Sequence, residues 1–327
     1  MSPRQGSVRY LKETTLKSTR LLCAALCAVL AACSNSGSSS SSASSAPASA
    51  GAGGKTIGVS IQNREAQFYQ GMESGMKAEA AKYGYTLVVV DANRDNAKQQ
   101  SQVEDFISSK VDAIVLTPYD STAIGSAIVE ANNAHIPVFT ADIASTSKQG
   151  TVVAHIASDN VQGGMQAATL ICKAVGTSGT VAILDEPEVT SVQDRVKGFK
   201  AGIKADCPSV TIVADIDAGG ERSKADSSMG DVLQSNPNVK GVFGINDDSA
   251  LGAVSAIKAA GATGKIAVVG YDATPEAQAA IKAGTMYGDA IQYPDKIGAL
   301  TIDTIHDYFA GKTPPKVVHV PVGTYTR

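Results

Sequence analysis

Residues 55–76 read KTIGVSIQNREAQFYQGMESGM, and the change of pattern inside this stretch decides the fold. Ile57 to Ile61 is a short, largely apolar run rich in β-branched residues. Gln62, Asn63, Arg64 and Glu65 interrupt it with polar side chains. Phe68, Met72 and Met76 then recur every four residues, a spacing that holds them on one face of a helix. Strand, polar loop and amphipathic helix together make the first half of a βαβ unit.

The pattern repeats toward the C-terminus. Short β-rich runs are expected at 57–61, 86–90, 113–116, 137–140, 152–155, 180–184, 211–214, 241–245, 266–270, 287–291 and 317–320. Most are apolar on both sides, as the strands of a covered parallel sheet are. Val103, Phe106 and Ile107 mark the second helix, and further helices are expected near 121–134, 160–175, 191–205, 221–235, 249–261, 274–284 and 294–311. Alternating strands and helices mean an α/β fold with right-handed crossovers. So many strands with such short helices point to two lobes. No second low-complexity linker separates them, so strands crossing within the fold must join the two.

Upstream of residue 55 the chain changes character. Residues 1–20 are polar and basic, and Leu21 to Ala32 is an unbroken apolar run. That run is too short to span a bilayer, which needs about 20 apolar residues. A basic region, a short apolar core and small residues make a secretory signal. It ends Leu30-Ala31-Ala32-Cys33, which resembles a bacterial lipobox and implies lipidation of Cys33. Residues 34–54 hold only Ser, Ala, Gly, one Asn and one Pro, a composition that buries no core and reads as a tether reaching roughly 25 Å. The expected location is therefore the periplasm or cell envelope, with the chain anchored through Cys33.

The remaining thiols agree with export. Cys172 and Cys207 form an even pair near the ends of neighbouring expected helices, either bridged or two buried free thiols. His135, His155, His306 and His319 are scattered, and no metal spacing is present. Gly51 to Thr56 imitates a phosphate loop, but Ser49 stands where the first Gly belongs and the loop precedes a strand. Overall net charge is −3, yet the signal is basic, so the remainder is acidic and offers no patch for nucleic acid.

In open α/β sheets ligands bind beyond the carboxyl ends of the strands. After the first expected strand stand Gln62, Asn63, Arg64 and Glu65, then Phe68 and Tyr69. After later strands stand Asp142, Asp185 and Glu186, the run Asn246-Asp247-Asp248, Tyr271 and Asp272, and Gln292. Carboxylates and amides pair with hydroxyls, and aromatic faces cover C–H surfaces. The set suits an uncharged polyhydroxylated ligand. Some of these residues also fit helix caps: Asp247 or Asp248 ahead of Ala250, and Asp120 or Ser121 ahead of Ala123.

Five segments carry a resemblance: Ala81-Lys82-Tyr83-Gly84-Tyr85, His155-Ile156-Ala157-Ser158-Asp159-Asn160, Gly244-Ile245-Asn246-Asp247, Val269-Gly270-Tyr271-Asp272-Ala273-Thr274-Pro275 and Gln292-Tyr293-Pro294-Asp295. In this order, across about 55–308, the chain resembles the periplasmic sugar-binding proteins of ABC transporters, the ribose-binding group above all. The resemblance implies two Rossmann-like, doubly wound lobes joined by three crossings, with a sugar between them. One lobe would comprise 55–158 plus 293–312, the other 159–292 plus 313–327. Phe68 and Tyr69 would stack on the sugar, and Asp142, Asn246, Asp272 and Gln292 would bond its hydroxyls.

The departures matter. The ribose-binding pattern has an Arg where Ile143 stands, a second Arg at Gln193, a small Ser at Gln62, an Asn at Ala66 and a second-lobe ring at Ala218 or Gly219. Gln62 and Gln193 are then candidate contacts themselves, and Arg64, Arg195 or Arg222 could replace a lost donor. A pentose other than ribose, a hexose or a polyol fits this set better than ribose. The implied partners are a permease with its ATPase; the alternative is a sensor presenting ligand to a chemoreceptor or histidine kinase. A monomer is expected, with no cofactor and no catalysis. Ser145 to Lys148 matches an SxxK pattern, but inside a polar loop, and a repressor would need a helix-turn-helix where the signal and tether stand.

Overall fold

The computed structural model describes residues 54–327; the signal, Cys33 and tether residues 34–53 lie outside the described residues. The described strands are β1 (Thr56–Ile61), β2 (Thr86–Asp91), β3 (Ala113–Leu116), β4 (Val138–Ala141), β5 (Val152–Ser158), β6 (Ser178–Asp185), β7 (Ser209–Asp217), β8 (Gly241–Gly244), β9 (Ala267–Asp272), β10 (Gly288–Ile291), β11 (Val317–Val320) and β12 (Gly323–Thr326). The helices are α1 (Gln67–Tyr83), α2 (Asn96–Ser108), α3 (Gly125–Asn133), α4 (Asn160–Val175), α5 (Thr190–Asp206), α6 (Arg222–Ser235), α7 (Asp247–Ala259), α8 (Pro275–Ala283) and α9 (Pro294–Phe309).

The strands form two six-stranded sheets, ordered β11-β5-β4-β3-β1-β2 and β12-β10-β9-β8-β6-β7. The two orders match position for position, so the molecule is one architecture used twice. Pairings are parallel except β10 with β12, which is antiparallel. In each sheet the order reverses beside the lobe's first strand, at β1 and at β6, which is where a crevice opens at the carboxyl ends.

Each sheet is covered on both faces. In the first lobe Met72 and Met76 of α1 and Ile302 and Ile305 of α9 pack one face, while Val103, Phe106 and Ile128 pack the other. In the second lobe Leu170, Ile171, Phe199 and Phe243 fill one face, and Met229, Ile257 and Ile281 the other. Double coverage explains why so few strands alternate in polarity.

The chain passes between lobes after Ser158, after Ile291 and between Val320 and Gly323. The expectation that 313–327 belongs wholly to the second lobe is corrected here. β11 pairs with β5 and completes the first sheet; only β12 joins the second. Sequence reading also missed β12, because Gly323-Thr324-Tyr325-Thr326 has no apolar run.

Helices α4 and α5 cross at backbone contact. A side chain on Gly164 would strike the Arg195 carbonyl, and one on Gly198 would strike the Val161 carbonyl. The same two helices are joined covalently, Cys172 to Cys207, with Cα atoms 5.8 Å apart. This pair of constraints fixes where α5 projects Arg195.

Candidate functional site

The carboxyl ends of the two sheets face each other across a cleft that encloses a cavity of about 50 Å³. Its walls come from both lobes.

From the first lobe, the β1 end supplies Gln62 and the first turn of α1 supplies Phe68 and Tyr69. The two rings meet edge to face, centroids 5.1 Å apart. The Tyr69 hydroxyl lies 3.0 Å from both Gln62 Oε1 and Asp142 Oδ2, which ties the β1 and β4 ends together. Asp142 follows β4 in the left-handed region at φ 64°, a conformation costly for a residue with a Cβ. Its Oδ1 is buried without a hydrogen-bond partner. Burial pushes the Asp142 carboxyl above its ordinary range, opposed by Arg195 and the Tyr69 hydroxyl.

From the second lobe, Arg195 on α5 is the central cation. Its Nε donates to Asn160 Oδ1 and its Nη1 to the Ile245 carbonyl, both at 2.9 Å. The guanidinium lies 4.1 Å from the Tyr271 ring centre. Its Nη2 reaches to 3.9 Å from Asp142 Oδ1, facing that acid across the interlobe gap. Asp272 ends β9 at φ 118° and accepts from Gln292 Nε2 at 2.7 Å; Gln292 Oε1 is buried without a partner. Burial holds the Asp272 carboxyl well above its ordinary range.

Asn246, not Asp247 or Asp248, caps α7: its Oδ1 accepts from Ser249 N at 2.8 Å. Sequence reading placed the cap one or two residues late. Asp247 is instead buried beneath the cleft, where its Oδ2 accepts from Thr274 N. Asp120 does cap its turn, accepting from Thr122 N and Ala123 N.

The structure thus gathers Gln62, Phe68, Tyr69, Asp142, Asn246, Asp272 and Gln292 around one cavity. Two candidates fall outside it. Arg64 is taken up by a bidentate pair with Glu73 of α1, at 2.8 and 2.6 Å. Gln193 is exposed and donates to the Pro187 carbonyl. It lies two residues, about 200° of helical turn, from Arg195, so only one of them can face the cleft. Ile143, where the resembled pattern has an Arg, is buried in the second lobe's cluster with Val189, Val192 and Tyr271. An apolar contact between lobes stands in place of a cation.

Several lining residues stand outside the sequence candidates, Gln67, Arg94, Ser191, Thr274 and Glu276 among them. Glu186, a strand-end acid in the sequence, also lines the cavity. Arg94 follows β2, and reading the residues after every strand would have found it. Arg94 Nη1 lies 3.1 Å from Glu186 Oε1 and 2.6 Å from the Gly219 carbonyl; Nη2 lies 3.2 Å from the Gly220 carbonyl. Gln62 Nε2 also donates to Glu186 Oε1, at 3.2 Å. Burial pushes Glu186 up to about 7, with Arg94 and Arg195 holding it back.

Chemically the cleft offers buried acceptors from both lobes, an amide donor, a fixed guanidinium and an aromatic pair. Each hydroxyl that donates to a desolvated carboxylate stabilises its charged form, so these acids are poised for hydroxyl groups.

Comparison with known proteins agrees with this geometry. Residues 57–313 match the family model described as periplasmic binding protein domain. The ribose import binding protein of Bacillus subtilis (strain 168) is 36% identical over 273 residues, covering 83% of this chain and 87% of that protein. The xylitol-binding protein of Mycolicibacterium smegmatis is 30% identical over 240 residues, 73% of this chain and 67% of its own. Among solved structures, an ABC transporter solute-binding protein from Agrobacterium vitis bound with α-D-tagatopyranose superposes with a TM-score of 0.79. It is 28% identical and covers 83% of this chain and 94% of that one. With its paired six-stranded sheets, interlobe cleft and matched sequence, the chain belongs to the periplasmic binding protein domain family.

Proposed function

We propose that this protein is an extracytoplasmic solute-binding protein that holds a neutral monosaccharide or polyol in the interlobe cleft and delivers it to an ABC transporter permease. One observation carries the reading. Asp142 Oδ1 from the first lobe and Gln292 Oε1 at the second crossing are buried acceptors without protein donors, and they converge on one cavity beside a fixed guanidinium. An unsatisfied buried acceptor costs about 1–3 kcal/mol, and ligand hydroxyls would recover that. Relatives named for the import of ribose and the binding of xylitol support the same class, and favour transport over a sensory role.

Closure follows from the division of contacts. A ligand shifts an equilibrium only through its differential affinity for the two states. Phe68, Tyr69 and Asp142 sit on one lobe, and Arg195, Asn246 and Asp272 on the other. Only the closed form presents both sets, so ligand favours closure, and the closed form is what the permease with its ATPase would recognise. A Kd near a micromolar needs about −8 kcal/mol net, within reach of several charge-assisted hydrogen bonds and ring contacts.

In this reading residues 1–33 direct export, Cys33 carries a lipid, and residues 34–54 tether a monomeric binding domain at the membrane. Mass spectrometry of the mature N-terminus, with Cys33→Ser as control, tests the anchor. Titration calorimetry with pentoses, hexoses and polyols tests the function. Micromolar binding of at least one neutral compound is expected; failure of them all would refute it.

A further inference from the structure

Arg94 stands where the enclosed cavity ends. It lines that cavity together with Gln62, Glu186 and Asn246. It also lines an open groove on the far side, formed with Asn63, Asn93, Glu221 and Asp226. The two spaces share this side chain, Ala66, Arg222 and Asp248, and Arg222 is paired with Asp248 and Glu276. Arg94 is itself largely buried, its side chain 16% exposed, and its partner Glu186 is 7% exposed.

We propose that Arg94, clamped across the lobes by Glu186 and the Gly219 and Gly220 carbonyls, is the end wall that sets ligand length and restricts the cleft to pentoses, pentitols and smaller polyols. This rests on the function proposed above and deepens it.

Four features fix the wall. Asn93 and Arg94 are consecutive left-handed residues at φ 53° and 56°, held by Asp91 Oδ1 on Asn93 N and by the Gln62 carbonyl on Arg94 N. That bend aims the guanidinium across the gap. The opposing carbonyls come from Gly219 and Gly220, both left-handed at φ 58° and 60°. A side chain at Gly220 would collide with Glu186 Oε2, so the backbone itself forms the anchor. Three acceptors from the second lobe and a neighbouring Gln62 leave the guanidinium little freedom to swing away.

The size limit follows from the space left inside. The cavity inside is small, about 50 Å³, and Arg94 lines it. In this proposal a longer ligand extends toward Arg94, and the sixth carbon is the one the wall disfavours. Glu186 Oε2 has no protein donor among the described residues and is available to a hydroxyl at that end.

The test uses compounds that differ by one carbon: D-ribose with D-allose, D-xylose with D-glucose, L-arabinose with D-galactose, and xylitol with sorbitol. The purified protein is titrated with each by calorimetry. For the pair that binds best, the five-carbon member is expected to bind at least tenfold tighter. Arg94→Ala should shrink that preference to less than threefold by raising affinity for the six-carbon member. Arg94→Lys, too short to hold both glycine carbonyls, should shrink it partly and covers the case in which the alanine variant does not fold. Equal binding of both members by the unmodified protein overturns the wall. So does an unchanged ratio in both variants. Absence of binding to all eight compounds overturns the wall and the carbohydrate function together, a result distinct from either ratio.

Discussion

Asn246 separates a structural role from a binding role within one side chain. Its Oδ1 caps α7 on Ser249 N at 2.8 Å, and its Nδ2 donates one proton to the Gly220 carbonyl at 3.1 Å. An amide nitrogen carries two protons; the second has no protein acceptor among the described residues, and Asn246 lines the cavity. Asn246→Ala removes everything. Loss of the cap costs about 1 kcal/mol, or a fall in Tm of roughly 2–4 °C in a domain of this size. Asn246→Asp keeps an oxygen for Ser249 N and places negative charge at a helix N-terminus, which favours it. The Gly220 carbonyl keeps Arg94 as a donor in that variant, so no buried acceptor is orphaned. Its Tm should therefore stay within about 2 °C of the parent. Ligand binding should fall in both. Loss of one hydrogen bond to a hydroxyl, at roughly 1–3 kcal/mol, corresponds to about a 5- to 150-fold weaker Kd. Thermal denaturation and titration calorimetry on the two variants decide it. If Asn246→Asp binds the ligand with parental affinity, Asn246 is a cap alone and its assignment to the site is wrong.

Other outcomes follow from features away from the ligand. His155 on β5 is held down to about 4, mainly by burial, with its Nδ1 2.9 Å from Thr140 Oγ1. A histidine whose folded pKa lies below its unfolded value stabilises fully above about 6.5 and loses that contribution as pH falls toward 4. The loss reaches about 3 kcal/mol, and His155→Gln should flatten it in denaturant titrations across that window. The Cys172–Cys207 bridge closes a segment of 35 residues, so replacing both with Ala should cost about 2–4 kcal/mol, read as a lower denaturation midpoint. Gly198→Ala forces α5 away from the Val161 carbonyl; it should destabilise by about 1–3 kcal/mol and weaken ligand binding by displacing Arg195, and an unchanged Kd would detach Arg195 from the site.

The repeated apolar runs made the two sheets legible because covered parallel strands need apolar side chains on both faces. β12 was illegible for the converse reason: Thr324 and Thr326 are exposed and the strand lies at a sheet edge. Strand-end reading reached Asp142, Asp272 and Gln292, since an open α/β sheet leaves few other places for polar residues to converge. Arg64, found the same way, and Gln193, taken from the resemblance, lie outside the cavity, because there the outcome hung on side-chain direction. Glu73 captures Arg64 nine residues on, and helical phase points Arg195 inward and Gln193 outward. The cap at Asn246 also escaped, because three consecutive residues, Asn246, Asp247 and Asp248, carry equally suitable oxygens. Backbone direction chose among them.

The last strands have a consequence for biogenesis. β11 docks beside β5, although some 160 residues separate them in sequence, and β12 then closes the opposite sheet. Neither half is a continuous stretch that could mature while the remainder is still being translated. Contacts of such long range form late and slowly. In the export reading proposed above, a final tuck that waits for the C-terminal residues would keep the chain open during its passage out of the cytoplasm.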